Sequence, residues 1–318
     1  MSGASAAIQE AAAVLARGGL VAFPTETVYG LGAAARDERA VARVFEAKGR
    51  PSSHPLIVHV ASVVEVERFA RAIPEAARVL LDRFAPGPLT LILERKEDVP
   101  ARVAGGQPTI GVRIPDHPVA LALLRAFGDG VAAPSANRFG SISPTTAAHV
   151  ALELGDRVEL ILDGGACRVG VESTIVDLTR DAPRILRPGG VPAEAIEDAL
   201  STRVPIVEAD DVRVPGALAS HYAPRADVVV VVEDGLATAL RDARHRRPVV
   251  LGEGAPDGVP SIALPREPEA QARRLYAALR EVDERGFDVA FVVLPEAAGL
   301  GAAIVDRLRR ASAPRTGH

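Results

Sequence analysis

The chain has 318 residues, of which 48% are hydrophobic and 25% charged, with a net charge of −4. That length suits two domains with separate cores, and the near balance of charge excludes a bulk polyanion clamp, so any contact with phosphate or nucleic acid has to be local. A single cysteine, Cys167, excludes an internal disulfide framework and a cysteine-rich zinc module. No basic region leading into an apolar run stands at the N-terminus, and the longest aliphatic run, residues 228–232, is too short to span a bilayer. A cytoplasmic chain with no membrane contact is the expectation.

Residues 5–17 form an alanine-rich helix closed by Gly18-Gly19. A short buried strand over 21–23 ends at Pro24 and runs into T-E-T-V-Y-G-L-G, read as a polar turn. Asp37 suits the N-cap of a helix that puts Val41, Val44 and Phe45 on one face and stops at Lys48-Gly49. Residues 56–60 form the next strand. Helical patterns follow over 62–71 and 74–84, then Pro86-Gly87-Pro88, strands over 89–93 and 109–114, and a helix over 117–127. A strand over 131–133 runs into P-S-A-N, and S-I-S-P-T-T opens a helix to residue 154 with Ser143 as N-cap and Pro144 in its first turn. Strands over 159–162, 173–178 and 184–186 and a helix over 192–200 complete this part, an α/β domain whose sheet is not a simple βα alternation. Residues 201–225 have no period and contain Pro205, Pro215, Gly216 and Pro224, the signature of a linker. Beyond it, strands over 227–232, 248–251, 261–264 and 289–294 alternate with helices over 236–244, 269–285 and 300–310. That pattern predicts a small parallel-sheet, Rossmann-like domain, without G-x-G-x-x-G and so without a dinucleotide fingerprint.

Polar groups gather at strand ends. Thr25, Glu26, Thr27, Tyr29, Lys48, Arg50, His54 and His59 all fall between the first two predicted strands or at their ends, a density that marks a site. Only Lys48 and Lys96 are lysines among 37 basic residues. Lys48 beside Arg50 sets a point charge next to a bidentate fork, both suited to a phosphate chain, although complementing a helix dipole explains Lys48 equally well. No G-x-x-x-x-G-K-[ST] occurs, which excludes a P-loop. The helix expected at Ser143-Pro144 offers an anion site, or is simply a helix start. P-S-A-N over 134–137 lies where α/β folds place ligand-facing groups, and also where ordinary turns fall. Arg113, inside T-I-G-V-R-I-P, needs an acidic partner, either a bound carboxylate or Asp116. Ser173 and Thr174 open a strand and Arg187 closes another in L-R-P-G. His221-Tyr222 in the linker can cover a base or a phosphate, or anchor the linker.

P-T-E-T-V-Y-G-L-G, K-G-R-P, H-P-L-I-V-H, T-I-G-V-R-I-P, A-P-S-A-N, S-T-I-V-D, L-R-P-G and H-Y-A-P-R occur in that order. As an ordered set they resemble the long, two-domain form of the threonylcarbamoyl-adenylate synthases, over essentially the whole chain. The resemblance implies a YrdC-like catalytic domain over 1–200, a linker or lid over 201–225 and a small Rossmann-like domain over 226–318. It also implies a nucleotidyltransferase that makes L-threonylcarbamoyladenylate from ATP, L-threonine and bicarbonate or CO2, releasing pyrophosphate, for modification of the tRNA adenosine next to the anticodon. By motif position Lys48, Arg50, His54, Thr109, Ser135, Asn137, Ser143, Arg187 and Tyr222 fall at the family's ATP site; His54 stands where asparagine is more usual. Thr27, His59, Arg113, Ser173 and the main chain at Ala133 fall at its threonine site. Mg2+ held mainly by ATP phosphates is the implied cofactor, with no protein nucleophile and no protein metal site. The implied partners are ATP, L-threonine and bicarbonate, with tRNA-modification proteins downstream and direct tRNA binding left open. An RNA-binding module without catalysis is disfavoured by the even charge and by Arg113, and a carbamoyltransferase with zinc modules by the lone cysteine.

Overall fold

The computed structural model describes residues 2–208, 211–216 and 221–314. Its first part contains α1 (Ser2–Ala16), β1 (Val21–Phe23), β2 (Gly30–Ala34), α2 (Glu38–Lys48), β3 (Ile57–His59), α3 (Val63–Val66), α4 (Glu75–Phe84), β4 (Leu89–Glu94), β5 (Thr109–Arg113), α5 (Pro118–Phe127), β6 (Val131–Ala132), α6 (Ala147–Leu154), β7 (Leu160–Ile161), β8 (Thr174–Asp177), β9 (Arg184–Arg187) and α7 (Ala193–Leu200). Among the described residues its strands form one nine-stranded sheet ordered β7-β1-β2-β6-β3-β5-β4-β8-β9. The sheet is mixed: β3–β5 and β4–β8 are parallel, whereas β1–β2, β3–β6, β4–β5 and β8–β9 are antiparallel. The second part contains β10 (Asp227–Val231), α8 (Leu236–Asp242), β11 (Pro248–Leu251), β12 (Ser261–Ile262), α9 (Pro268–Glu284), β13 (Val289–Val293) and α10 (Leu300–Ser312), with an all-parallel sheet ordered β10-β13-β11-β12. The two-part α/β architecture expected from the alternation of elements is present.

Local chemistry explains the element that leads into the site. Asp37 accepts the main-chain N–H of Arg39 at 2.8 Å and of Ala40 at 3.2 Å, which satisfies two amides the first turn of α2 cannot. Gly49 closes the helix in the left-handed region at φ 64°, where a side chain would be strained. Val41, Val44 and Phe45 are buried by α2 in the main core, and Lys48 is buried with them. The helix therefore delivers a lysine into the interior rather than to solvent.

Three expectations need correction. The stretch read as a turn after Pro24 contains β2, whose G-L-G-A-A sequence carries no strand-like side-chain signal. Small residues are required there: a Cβ on Gly32 would lie 2.8 Å from Val131 and 2.9 Å from Phe23. The helix expected over 62–71 is only α3, because Ala70 bridges Arg95 and the Arg71 amide donates to Glu94 at 2.8 Å, which draws the chain towards the sheet. Ser143 is not an N-cap. Residues 144 and 145 offer their carbonyls to the amides of Tyr29 and Cys167, so α6 starts later, with Thr146 as N-cap accepting from His149 at 3.2 Å.

The segment after α7 is tied to the first sheet. The Ile185 amide donates to Pro205 at 2.8 Å and the Val207 amide donates back to Ile185 at 2.9 Å, extending the sheet beyond β9. Val212 and Val214 then pack with Ile57, Ile92, Ile175 and Leu186, side chains from β3, β4, β8 and β9. Asp37→Ala is expected to lower unfolding free energy by about 1 kcal/mol through loss of the α2 cap, read as a lower urea midpoint with unchanged slope.

Candidate active site

One cavity of about 50 Å3 lies over the sheet, where the ends of β3 and β5 meet the linker. Strand pairing assembles it. β3 and β5 run parallel with Ile57 opposite Gly111 and His59 opposite Arg113, so side chains two apart on each strand share a face. The residues after β6 and those before β8 bring Ala133, Ser135, Glu172 and Ser173 to the same place, and the linker closes it with Pro215, Gly216, His221 and Tyr222.

Arg113 is 5% exposed and its Nη2 lies 2.7 Å from Glu26 Oε1. Its protein partner is therefore Glu26, and not Asp116, whose carboxylate pairs with Arg168. Glu26 is fully buried and also accepts the Asp116 amide at 3.1 Å, whereas the Asp116 carboxylate is half-exposed. The pair is a buried ion pair whose angles do not make a hydrogen bond, and Arg113 itself lines the cavity. His59 lies beside it. Burial and then the neighbouring Arg113 push the His59 pKa down to about 3, so the imidazole is neutral, with Nδ1 at 3.2 Å from the Ile57 carbonyl.

Two further guanidinium groups line the cavity without a carboxylate partner among the described residues. Arg50 donates to the Pro55 carbonyl at 3.0 Å and leaves Nε without a hydrogen-bond partner. Burial pushes its pKa down to about 10, so it stays charged at neutral pH. Arg187 donates to the Ser173 carbonyl at 2.8 Å, to Ser173 Oγ at 3.1 Å and to the Pro215 carbonyl at 2.8 Å. Cations without an ion-pair partner in a buried enclosure attract a polyanion more strongly than at the surface, because less solvent screens them.

The expected residues divide into two sets. Arg50, His59, Arg113, Ala133, Ser135, Ser173, Arg187 and Tyr222 line the cavity; Lys48, His54, Thr27, Thr109, Asn137 and Ser143 do not. Lys48 Nζ donates to the Ser135 carbonyl at 2.6 Å and to the Asn137 carbonyl, stapling α2 to the P-S-A-N loop. Burial and then Arg50 hold its pKa well below the usual lysine range. Asn137 Nδ2 donates to the carbonyls of Arg138 and Ser141, both at 2.8 Å, and shapes the same loop. Thr27 Oγ1 is 2.8 Å from Thr25 Oγ1 inside the turn. His54 meets Phe139 edge to face at 5.3 Å. Thr109 starts β5 on the face shared with Gly111 and Arg113. Ser143 donates to Glu172 Oε1 at 2.7 Å.

Glu172, Tyr276 and Arg307 were not among the expected residues. Glu172 Oε2 accepts from the Tyr276 hydroxyl and from Arg307 Nε, both at 2.7 Å and both contributed by helices of the second domain. Burial alone would raise the Glu172 pKa, but Arg307 and then Arg187 outweigh it and hold the carboxyl at about 2. A signal was present in α10: Arg307 falls at helical spacing from Ala303, Ile304 and Ala311, all buried, so its face of the helix points inward.

Residues 13–189 match the family model described as telomere recombination, and residues 191–313 match that of the threonylcarbamoyl-AMP synthase, C-terminal domain. The chain is 46% identical to a threonylcarbamoyl-AMP synthase of Pyrococcus abyssi, over 97% of this chain and 94% of the relative. It is 41% identical to that of Bacillus subtilis, over 97% and 93%. The crystal structure of P. abyssi Sua5 complexed with L-threonine superposes with a TM-score of 0.91 at 45% identity, covering 96% of this chain and 94% of that one. A mixed-sheet α/β domain joined to a small parallel-sheet domain is thus the shared plan of a class of enzymes. The chain belongs to the threonylcarbamoyl-AMP synthase family.

Depressed histidine pKa values make stability fall with acid. Unfolded, His59 takes a proton near its ordinary 6.5; folded, it resists protonation to about 3. Between those values the unfolded chain binds more protons, so stability is complete above about pH 6.5 and declines below it, by up to about 1.4 kcal/mol per pH unit for such a group. His59→Gln is expected to lose less stability than the parent between pH 7 and pH 5 in denaturant titrations. An identical loss would contradict the buried neutral imidazole.

Proposed function

We propose that this cavity joins L-threonine, bicarbonate or CO2, and ATP into threonylcarbamoyl-adenylate, with release of pyrophosphate. The observation that carries the reading is the meeting of three buried guanidinium groups, Arg50, Arg113 and Arg187, at one cavity wall, with only Arg113 matched by a carboxylate there. The L-threonine complex of the P. abyssi relative, at 45% identity, supports threonine as a substrate.

In this reading the Arg113 guanidinium at the cavity wall takes the threonine carboxylate. The threonine amine captures CO2 as a carbamate, whose oxygen attacks the α-phosphorus of ATP while the bond to pyrophosphate breaks. Neutral His59 and the hydroxyls of Thr25 and Ser173 stand where the threonine hydroxyl can be read, and a site that hydrogen-bonds a hydroxyl rejects analogues lacking it. Arg50 and Arg187 offset the triphosphate charge. Rate enhancement comes from alignment and charge stabilisation, so no protein nucleophile is required.

Glu172, which lines the cavity, and Glu26, buried against the lining residue Arg113, are both engaged by arginines, and the described residues hold no cluster of three acidic, histidine or cysteine groups for a metal. That donor set fits Mg2+ carried by phosphate oxygens and water, where the ion would neutralise phosphate charge. Among the described residues no helix is long and apolar enough to cross a membrane. The reading keeps the product's use in tRNA modification and a cytoplasmic setting.

A cavity of about 50 Å3 is far below the ~300 Å3 or more of ordinary ligand pockets. We infer that the linker acts as a lid: residues 213–216 and Tyr222 shift from the sheet to admit ATP and return over it. The experiment that tests the function is pyrophosphate release with ATP, threonine or bicarbonate omitted in turn; release that ignores threonine would overturn it, and RNA binding without turnover would favour a binding module. Arg113→Ala is expected to raise the threonine KM by about a hundredfold, in line with ~3 kcal/mol for a charged hydrogen bond, and the ATP KM far less. Equal shifts in both would remove the carboxylate assignment.

A further inference from the structure

The second domain reaches into the cavity wall through one ion pair. Arg307, fully buried on α10, donates Nε to Glu172 at 2.7 Å and Nη2 to the Pro188 carbonyl at 3.1 Å. Its guanidinium carbon also lies 5.2 Å from the centre of the Tyr222 ring, which stacks on Tyr276 at 5.6 Å. Glu172 itself lines the cavity and sits next to Ser173, whose carbonyl holds Arg187. With Arg307 in place, Glu26 and Glu172 are each paired with a guanidinium, and Arg50 and Arg187 line the cavity without an ion pair of their own among the described residues.

We propose that Arg307 is a positioning residue of the nucleotide site: it neutralises Glu172 from the C-terminal domain, so that Arg187 stays available to phosphate. The proposal rests on the reading of the cavity as an ATP site. Without Arg307, Glu172 is a buried anion facing the incoming triphosphate, and Arg187, which lines the same cavity, is left to offset it. The C-terminal domain then serves catalysis by setting the charge of a cavity built mostly by the other domain.

The test uses the full-length chain with Arg307→Met, Arg307→Lys and the double variant Arg307→Met with Glu172→Gln. Pyrophosphate release is followed with ATP varied at saturating threonine and bicarbonate, then with threonine varied, alongside thermal melts of each protein. Arg307→Met is expected to raise the ATP KM about tenfold or more, since one unit charge a few ångströms from the phosphates is worth over 1 kcal/mol at a partly buried site. The threonine KM should move by less than about threefold, and the double variant should recover most of the ATP loss because a neutral amide needs no counter-ion. Arg307→Lys, which keeps the charge, should fall close to the parent and covers the case in which the methionine variant does not fold. A double variant, folded by its melt, that is no better for ATP than Arg307→Met would overturn the proposal, as would a lysine variant as weak as the methionine one. A parent protein without threonine-dependent pyrophosphate release would instead remove the ATP-site reading, and the proposal with it.

Discussion

Arg50 and Arg187 are held in the interior by main-chain carbonyls rather than by carboxylates, and the rest of the arrangement follows from that constraint. A buried cation without an anion is costly, and carbonyl dipoles compensate it only in part. The loops around the cavity are fixed from several directions. Lys48 staples the P-S-A-N loop, Asn137 braces it from within, and the Pro215 carbonyl comes from the linker. The positive potential that remains is a property of the assembled cavity and of none of its segments alone.

The linker and the second domain therefore belong to the site in a physical sense. Val212 and Val214 cover the apolar side chains of β3, β4, β8 and β9, Arg213 is bound through Gln107 and the Gly105 carbonyl, and Pro215 satisfies Arg187. Contacts between the domains are polar as well as apolar. Arg280 meets Glu153 at 2.9 Å and donates to the Ile142 carbonyl, while Arg307 and Tyr276 meet Glu172. Buried ion pairs of this kind contribute little net stability against a well-packed apolar contact, but they accept few alternative geometries. Here they fix which face of α9 and α10 meets the cavity.

Much of this was legible in the residues. The α2 cap at Asp37, the burial of Arg113 in an apolar strand, the linker composition and the regular alternation after it all follow from local rules of capping, periodicity and turn chemistry. The eight expected residues that line the cavity were legible through the ordered motifs of the family resemblance, and all but Arg50 and Tyr222 lie at or just beyond strand ends, where an α/β sheet places its ligands. β2 was not, because its small residues answer to Phe23 and Val131 across the sheet. Ser143 looked like a cap because serine before proline usually is one, yet its hydroxyl is taken by Glu172.

By itself the sequence determined the chemical types at the site, a lysine and arginines beside hydroxyls and histidines, and the order in which strands and helices carry them. Only the tertiary structure decided which charges cancel. Glu26 lies 87 positions from Arg113 and Glu172 lies 135 from Arg307, and such pairings are set by sheet order and domain packing, which no local pattern encodes. Local rules act over a helical turn or a strand pair, whereas electrostatic compensation acts through space, so the net charge of the cavity emerges only when both domains are in place.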